Sequence, residues 1–180
     1  MRPLAAAALT LLGCTTGGPY QAGRPIDTYP RFTAEQSSWF DDAIAIDIFG
    51  MQTRGPLPGS DPALVERVAN ADTVIPVLVT TVTSDTVGST PAYQLVLAPV
   101  GPPMAGASES QPITVTVPTT STSYPYVKVA DETLVGRRLI LFARRFSGAG
   151  QAVIHWHAEV DTPEMRLAVR QAAVALASRK

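Results

Sequence analysis

Six stretches of the chain are dense in β-branched and other apolar residues: 43–49 (AIAIDIF), 74–83 (VIPVLVTTVT), 92–100 (AYQLVLAPV), 112–117 (PITVTV), 138–146 (RLILFARRF) and 152–160 (AVIHWHAEV). Each is bounded by Gly, Pro, Ser or Asp and has the length of a strand. Pro76 cannot donate to a ladder, so its strand is expected to lie at an edge or to begin after it. The last two stretches flank Ser147-Gly148-Ala149-Gly150 and read as an antiparallel hairpin, central in the sheet because both parities are apolar. Helical period takes over only after Asp161, where Met165, Ala168, Val169, Ala172, Ala173 and Leu176 form one stripe. Asp161 and Glu164 have capping-box spacing, Pro163 suits the first turn, and the helix is expected to run to about Ser178.

Two shorter helices carry start signals of their own. Thr33 with Gln36 fits a capping box, and Asp61 before Pro62 fits an N-cap with Leu64 and Val68 on one face and Asn70 as the stop. The expected fold is α+β, either a mostly antiparallel sheet or a β-sandwich of about six strands, with the C-terminal helix packed on it. Residues 32–180 are expected to form a single globular domain of ordinary size.

Ahead of that domain the pattern changes twice. Arg2 precedes the apolar run 4–12, and Gly13 and Cys14 follow, which is the layout of an export signal. About ten helical residues reach only half of a bilayer core, so the run is too short to span one. Leu11-Leu12-Gly13-Cys14 resembles the lipobox of bacterial lipoproteins. The resemblance covers fourteen residues and implies a signal peptide at 1–13, cleavage before Cys14 and lipidation of its thiol. With Thr15 after the cysteine, it also implies transport to the outer membrane, facing the periplasm. Residues 14–31, rich in Gly, Pro and Thr, then read as the lipidated cysteine and a flexible tether. No family is recognisable for the globular domain.

Composition narrows the function. A net charge of −1 argues against a nucleic-acid partner, and the single cysteine excludes an intrachain disulfide. Charge is unevenly placed: nine basic and five acidic residues from Lys128 on, against five and ten before it. Between Arg67 and Lys128 there is no basic residue, and a sheet edge with so few charges needs something to cover it or pair with it.

Candidate chemistry is sparse. On a strand, residues two apart share a face, so His155 and His157 can present two imidazoles to one metal ion, with a third ligand such as Asp47 or Asp161 from elsewhere. The same spacing describes an imidazole pair on a polar strand face with Trp156 in the core, and no metal or other cofactor is expected. Gly148 and Gly150 lack the third glycine of a dinucleotide loop, and no nucleophile elbow or P-loop occurs. Tyr124 and Tyr126 read as aromatics on an extended backbone, suited to a contact site. Arg137, Arg138, Arg144 and Arg145 form a basic cluster, and Leu167 and Val174 break the polar face of the last helix.

The expected function is therefore a lipid-anchored envelope protein without enzymatic activity. It would serve as a structural or accessory subunit, holding the membrane through Cys14 and an envelope protein partner through Leu167, Val174, Arg137, Arg138, Tyr124 and Tyr126. A small-ligand or glycan-binding lipoprotein using Tyr124, Tyr126 and Trp156 is the first alternative. A metal-dependent hydrolase around His155 and His157 is the second.

Overall fold

The computed structural model describes residues 25–49, 58, 61–87 and 89–179. The expected signal peptide, Cys14 and the first part of the expected tether lie outside the described residues. Among the described residues seven strands form one mixed, mostly antiparallel sheet: β1 (Ala43–Ile44), β2 (Thr73–Val87), β3 (Thr90–Pro99), β4 (Ala105–Gly106), β5 (Ile113–Pro118), β6 (Arg138–Ser147) and β7 (Ala152–Val160). Their order is β1-β7-β6-β2-β3-β5, with β4 on β2 and only β1–β7 and an isolated bridge parallel. Four α-helices accompany them among the described residues: α1 (Ala34–Ser37), α2 (Pro62–Asn70), α3 (Tyr124–Leu134) and α4 (Pro163–Ala177).

All strands belong to one sheet, so the architecture is α+β with a curled half-barrel instead of two stacked sheets. The curl brings the outer strand β5 toward β7, and the buried Trp156 indole N–H on β7 donates to Thr116 O on β5 at 3.0 Å. The concave side is filled by Ile75, Val77, Leu95, Val115, Leu141 and Trp156. On the convex side Val74, Ile140, Phe142 and Phe146 pack under α2 and α4 and against Phe40. Strand alternation explains the split: β6 sends Leu139 and Leu141 inward and Ile140 and Phe142 outward, and both directions meet a core.

The sequence signals hold in several places. Thr33 and Gln36 close a capping box on α1, and Asp61 Oδ1 accepts from Ala63 N–H at the start of α2. The Leu64 and Val68 face of α2 is buried, as are Met165, Ala168, Val169 and Ala172 of α4. Gly150 sits at φ 82°, the left-handed conformation its hairpin turn requires.

Five details differ. Only Ala43 and Ile44 of the 43–49 run form a strand; Ile46–Phe49 turns into a 3-10 helix. Pro76 lies inside a central strand, because its missing N–H falls where β3 has ended at Pro99 and β4 has not begun; there its carbonyl accepts from Val100 N–H at 3.0 Å. Thr162, not Asp161, caps α4, its hydroxyl accepting from Met165 N–H. Residues 25–31, read as tether, lie against the sheet: Pro30 O accepts from Ser147 N–H and Arg31 bridges to Ser147. The stretch around Tyr124 and Tyr126 is not extended but is the first turn of α3, with Pro125 in the position a helix start tolerates.

That last helix completes the half-barrel. Ser123 Oγ accepts from the N–H of Ile44 on β1 at 3.3 Å and lies 3.0 Å from Ser121 Oγ, both serines being buried. Val127 and Leu134 seat α3 over the concave core.

Candidate functional site

Alternation along β7 places His155, His157 and Glu159 together on the convex, helix-covered side, with Trp156 and Ala158 in the concave core. The strand face expected to be polar is polar, but it is roofed over: His157 is only 6% exposed. Its Nδ1 donates to Asp41 Oδ1 at 2.7 Å and its Nε2 to Glu159 Oε1 at 3.0 Å. The same Glu159 oxygen accepts from Arg67 Nη1 at 3.3 Å, and Arg67 stands 3.6 Å from Asp61 Oδ2 and donates from Nε to Trp39 O at 3.0 Å. One continuous network, Asp61, Arg67, Glu159, His157 and Asp41, thus ties α2, β7 and the segment before β1.

The electrostatics favour a charged imidazole. Burial works to discharge His157, but the hydrogen bonds to Asp41 and Glu159 outweigh it and hold its pKa above the ordinary histidine value, against the opposing charge of Arg67. For Asp41, burial pushes the carboxyl upward, and the His157 contact together with the charges of His157 and Arg67 brings it below the usual carboxylate value. Partial burial and then the charge of Glu159 raise Asp47. An imidazolium with two donors between two carboxylates, one of them shared with a guanidinium, leaves every buried charge paired.

His155 has a separate partner set. Its Nδ1 donates to Asp42 Oδ2 at 2.8 Å, and its ring stacks on Phe32 with centroids 3.6 Å apart and planes 4° apart. Asp42 Oδ1 accepts from Trp156 N–H at 3.1 Å, and its backbone sits at φ 53°. Asp41 and Asp42, adjacent in sequence, therefore serve His157 and His155 one each. Each imidazole turns its Nδ1 toward its own aspartate, and His157 has no lone pair left for a metal. Among the described residues no group of three or more His, Cys, Asp or Glu side chains could hold a metal ion.

The arrangement is a clamp between chain segments that engages both ring nitrogens of His157 and Nδ1 of His155. Sequence reasoning found the two histidines and missed their partners. Glu159, two residues on from His157 and of the same parity, was the legible signal; Asp41, Asp42 and Arg67 come from far along the chain.

A second region gathers several of the predicted contact residues. Arg138, Asp161, Pro163, Arg166, Leu167 and Arg170 line a shallow open depression at the start of α4. Asp161 binds Arg166 through both carboxylate oxygens, with Nη2 to Oδ2 at 2.7 Å, and also accepts from Arg138 Nε at 3.3 Å; the Arg166 contact holds its pKa below the usual carboxylate value. Leu167 is 56% exposed and Val174 70% exposed on the outer side of α4. They are seven residues apart and so lie on one helical face.

The remaining predicted residues disperse. Arg137 is exposed and donates from Nε to Thr133 O at the end of α3. Arg144 and Arg145 sit at the other end of β6, where Arg144 donates to Asn70 and Arg145 pairs with Glu109 at 2.9 Å, so the four arginines are not one cluster. Tyr124 packs on the concave core with its ring 5.5 Å from that of Tyr93, and Tyr126 is half-buried. Trp156, offered as a sugar platform, is 1% exposed inside the core.

No protein family, curated protein or solved structure matches this chain. No helix among the described residues is long and apolar enough to cross a membrane.

Proposed function

We propose that this protein is a lipid-anchored component of the bacterial envelope, acting as a structural or accessory subunit that binds another envelope protein. Cys14 provides the anchor, as its lipobox resemblance implies, and the outer membrane facing the periplasm is the location that Thr15 favours. Two or more acyl chains hold a protein stably on a bilayer, so such an anchor is permanent. The observation that carries the interaction half is the outer face of α4, where Leu167 and Val174 are exposed on one side beside Arg138 and Arg170. Large apolar side chains held in solvent with arginines around them are the composition of a contact surface. The partner surface that fits is apolar with acidic residues at its rim.

Turnover is not part of this reading. The histidine network spends its donors on Asp41, Asp42 and Glu159, and Trp156 and Tyr124 spend their rings on packing.

Two variants test the two halves separately. Cys14→Ala is expected to release the protein from membranes or to block its maturation; unchanged attachment with normal processing refutes the anchor. Leu167→Glu with Val174→Glu is expected to fold and to lose whatever envelope protein crosslinks to the wild type in near-equal amount. A folded double variant that retains that protein refutes the α4 surface.

A further inference from the structure

The β2–β3 hairpin outruns the sheet that carries it. β6 pairs with β2 only from Thr73 to Leu78, and the last tie on that side is at Val79. There the Val79 N–H donates to Arg137 O at 2.9 Å, and its carbonyl accepts from Gly136 N–H at 2.8 Å. β2 continues to Val87, and among the described residues no strand pairs with that continuation on the side away from β3. Apart from the half-buried Val82, every residue from Thr80 to Val87 is exposed.

The backbone groups on this open side can be assigned. The register with β3 slips between Val79 and Thr81, and such a bulge switches which parity faces outward. Thr86 stands opposite Pro91, which has no N–H to exchange, and the Thr86 N–H is instead taken by Asp85 Oδ1 at 2.7 Å. Thr86 is thus a non-hydrogen-bonded partner of β3, and by alternation so are Ser84 and Val82. The N–H and C=O groups of residues 82, 84 and 86 therefore point away from β3.

Sheet edges are normally guarded by lysines, prolines or a covering element. No lysine or proline lies between Thr80 and Val87, and the only charge there is Asp85, engaged by Gln94 and by the Thr86 N–H. We propose that this edge pairs antiparallel with the same edge of a second copy of the chain, about a two-fold axis through Ser84. In that register Ser84 exchanges both backbone hydrogen bonds with Ser84 of the second copy, and each Val82 N–H donates to the Thr86 carbonyl across the axis while the Thr86 N–H stays with Asp85.

Charge selects the register. Asp85 then faces the hydroxyl of Thr83, whereas a slip toward the hairpin tip sets Asp85 against Asp85, and a slip the other way runs the ladder into the bulge. The edge is its own complement in backbone pattern, and a two-fold axis uses all three outward residues. A ladder this short falls at the low end of interface sizes, so the dimer is a reversible one. The surface is separate from α4, and the inference stands or falls independently of the anchor and of the α4 contact.

Sedimentation equilibrium of the full-length protein in detergent, over a range of concentrations, reads the association directly. The wild type is expected to interconvert between monomer and dimer. Ser84→Lys places two ammonium groups beside the axis and is expected to leave monomer throughout, with salt restoring part of the dimer; Ser84→Pro removes the axial N–H and is expected to do the same without the salt response. Unchanged fluorescence from the buried Trp156 checks that both variants are folded. Leu167→Glu with Val174→Glu is expected to dimerise like the wild type. Monomer at every concentration overturns the proposal, as does a dimer of wild-type affinity in the folded Ser84 variants. A dimer lost through the α4 substitutions instead also overturns it.

Discussion

Replacing Arg67 by Met keeps much of the side-chain volume and removes one charge from the middle of the buried network. Three contacts go with it: the hydrogen bond from Nε to Trp39 O and the ion pairs with Glu159 and, at 3.6 Å, with Asp61. A hydrogen bond involving a charged group contributes about 1.5–3 kcal/mol, and breaking a buried ion pair by removing one partner costs about 3–5 kcal/mol. Glu159 keeps His157 as a second partner, so the sum is less than the two limits added, and the expected loss is about 3 kcal/mol. For a domain of this size each kcal/mol moves Tm by about 2–4 °C, which gives a fall of about 6–12 °C in a thermal melt followed by circular dichroism. Arg138→Met is the control: Arg138 is exposed and shares Asp161 with Arg166, so its loss is expected to cost no more than about 1 kcal/mol. Combining Arg67→Met with Glu159→Gln in a double-mutant cycle is expected to give a coupling of about 1–3 kcal/mol. A loss below about 1 kcal/mol for Arg67→Met, or additive single and double effects, refutes the reasoning that the network is a clamp.

Stability should also depend on pH with a defined sign. The folded pKa of His157 lies above its ordinary 6.5, so its contribution is complete below that pH and is lost as pH rises through the folded value. Asp41 is held below its ordinary 3.8, so its contribution is present above that pH and is lost as pH falls through the folded value. Tm is expected to be highest between about pH 4 and 6.5 and to decline on the alkaline side, and His157→Gln should flatten that decline; an equal alkaline slope in the variant would falsify the assignment. At Asp42, φ 53° and two side-chain hydrogen bonds act together. Asp42→Ala is expected to cost about 2–4 kcal/mol in denaturant unfolding and Asp42→Asn less than half of that, since Asn tolerates the left-handed region and keeps an acceptor for Trp156 N–H; equal costs would sink this account.

What the sequence revealed follows the range of the forces involved. Local signals were legible: the caps of α1 and α2, the β6–β7 hairpin with its glycine turn, and the buried stripe of α4 all depend on residues a few positions apart. Where a competing long-range contact existed, local reading went astray. Asp161 has the spacing of a cap, but Arg166 and Arg138 claim its carboxylate and leave the cap to Thr162. The α3 sequence, YPYVKVADETL, carries β-branched and aromatic residues that favour strands, and its helix is settled by seating Val127 and Leu134 on the core. Pro125 was the available signal. His155 and His157 were visible as a pair because strand alternation is local, whereas Asp41, Asp42 and Arg67 join them only through tertiary packing across a hundred or so residues.

The earliest described residues are held by the latest strands. Ala43 and Ile44 pair with His157 and Ala158, Phe32 lies on His155, and Pro30 and Arg31 grip Ser147. During synthesis the segment up to β1 consequently has no sheet to join until β7 has been made, and Arg67 waits as long for Glu159. The nascent chain can form its β2–β3 hairpin and α2 early, but its closure must come near the end, the slow route expected of contacts far apart in sequence. Under the proposed reading of an exported, lipid-anchored protein, that delay has a use: the polypeptide stays threadable until β7 has been made, and the last strands then gather in the first.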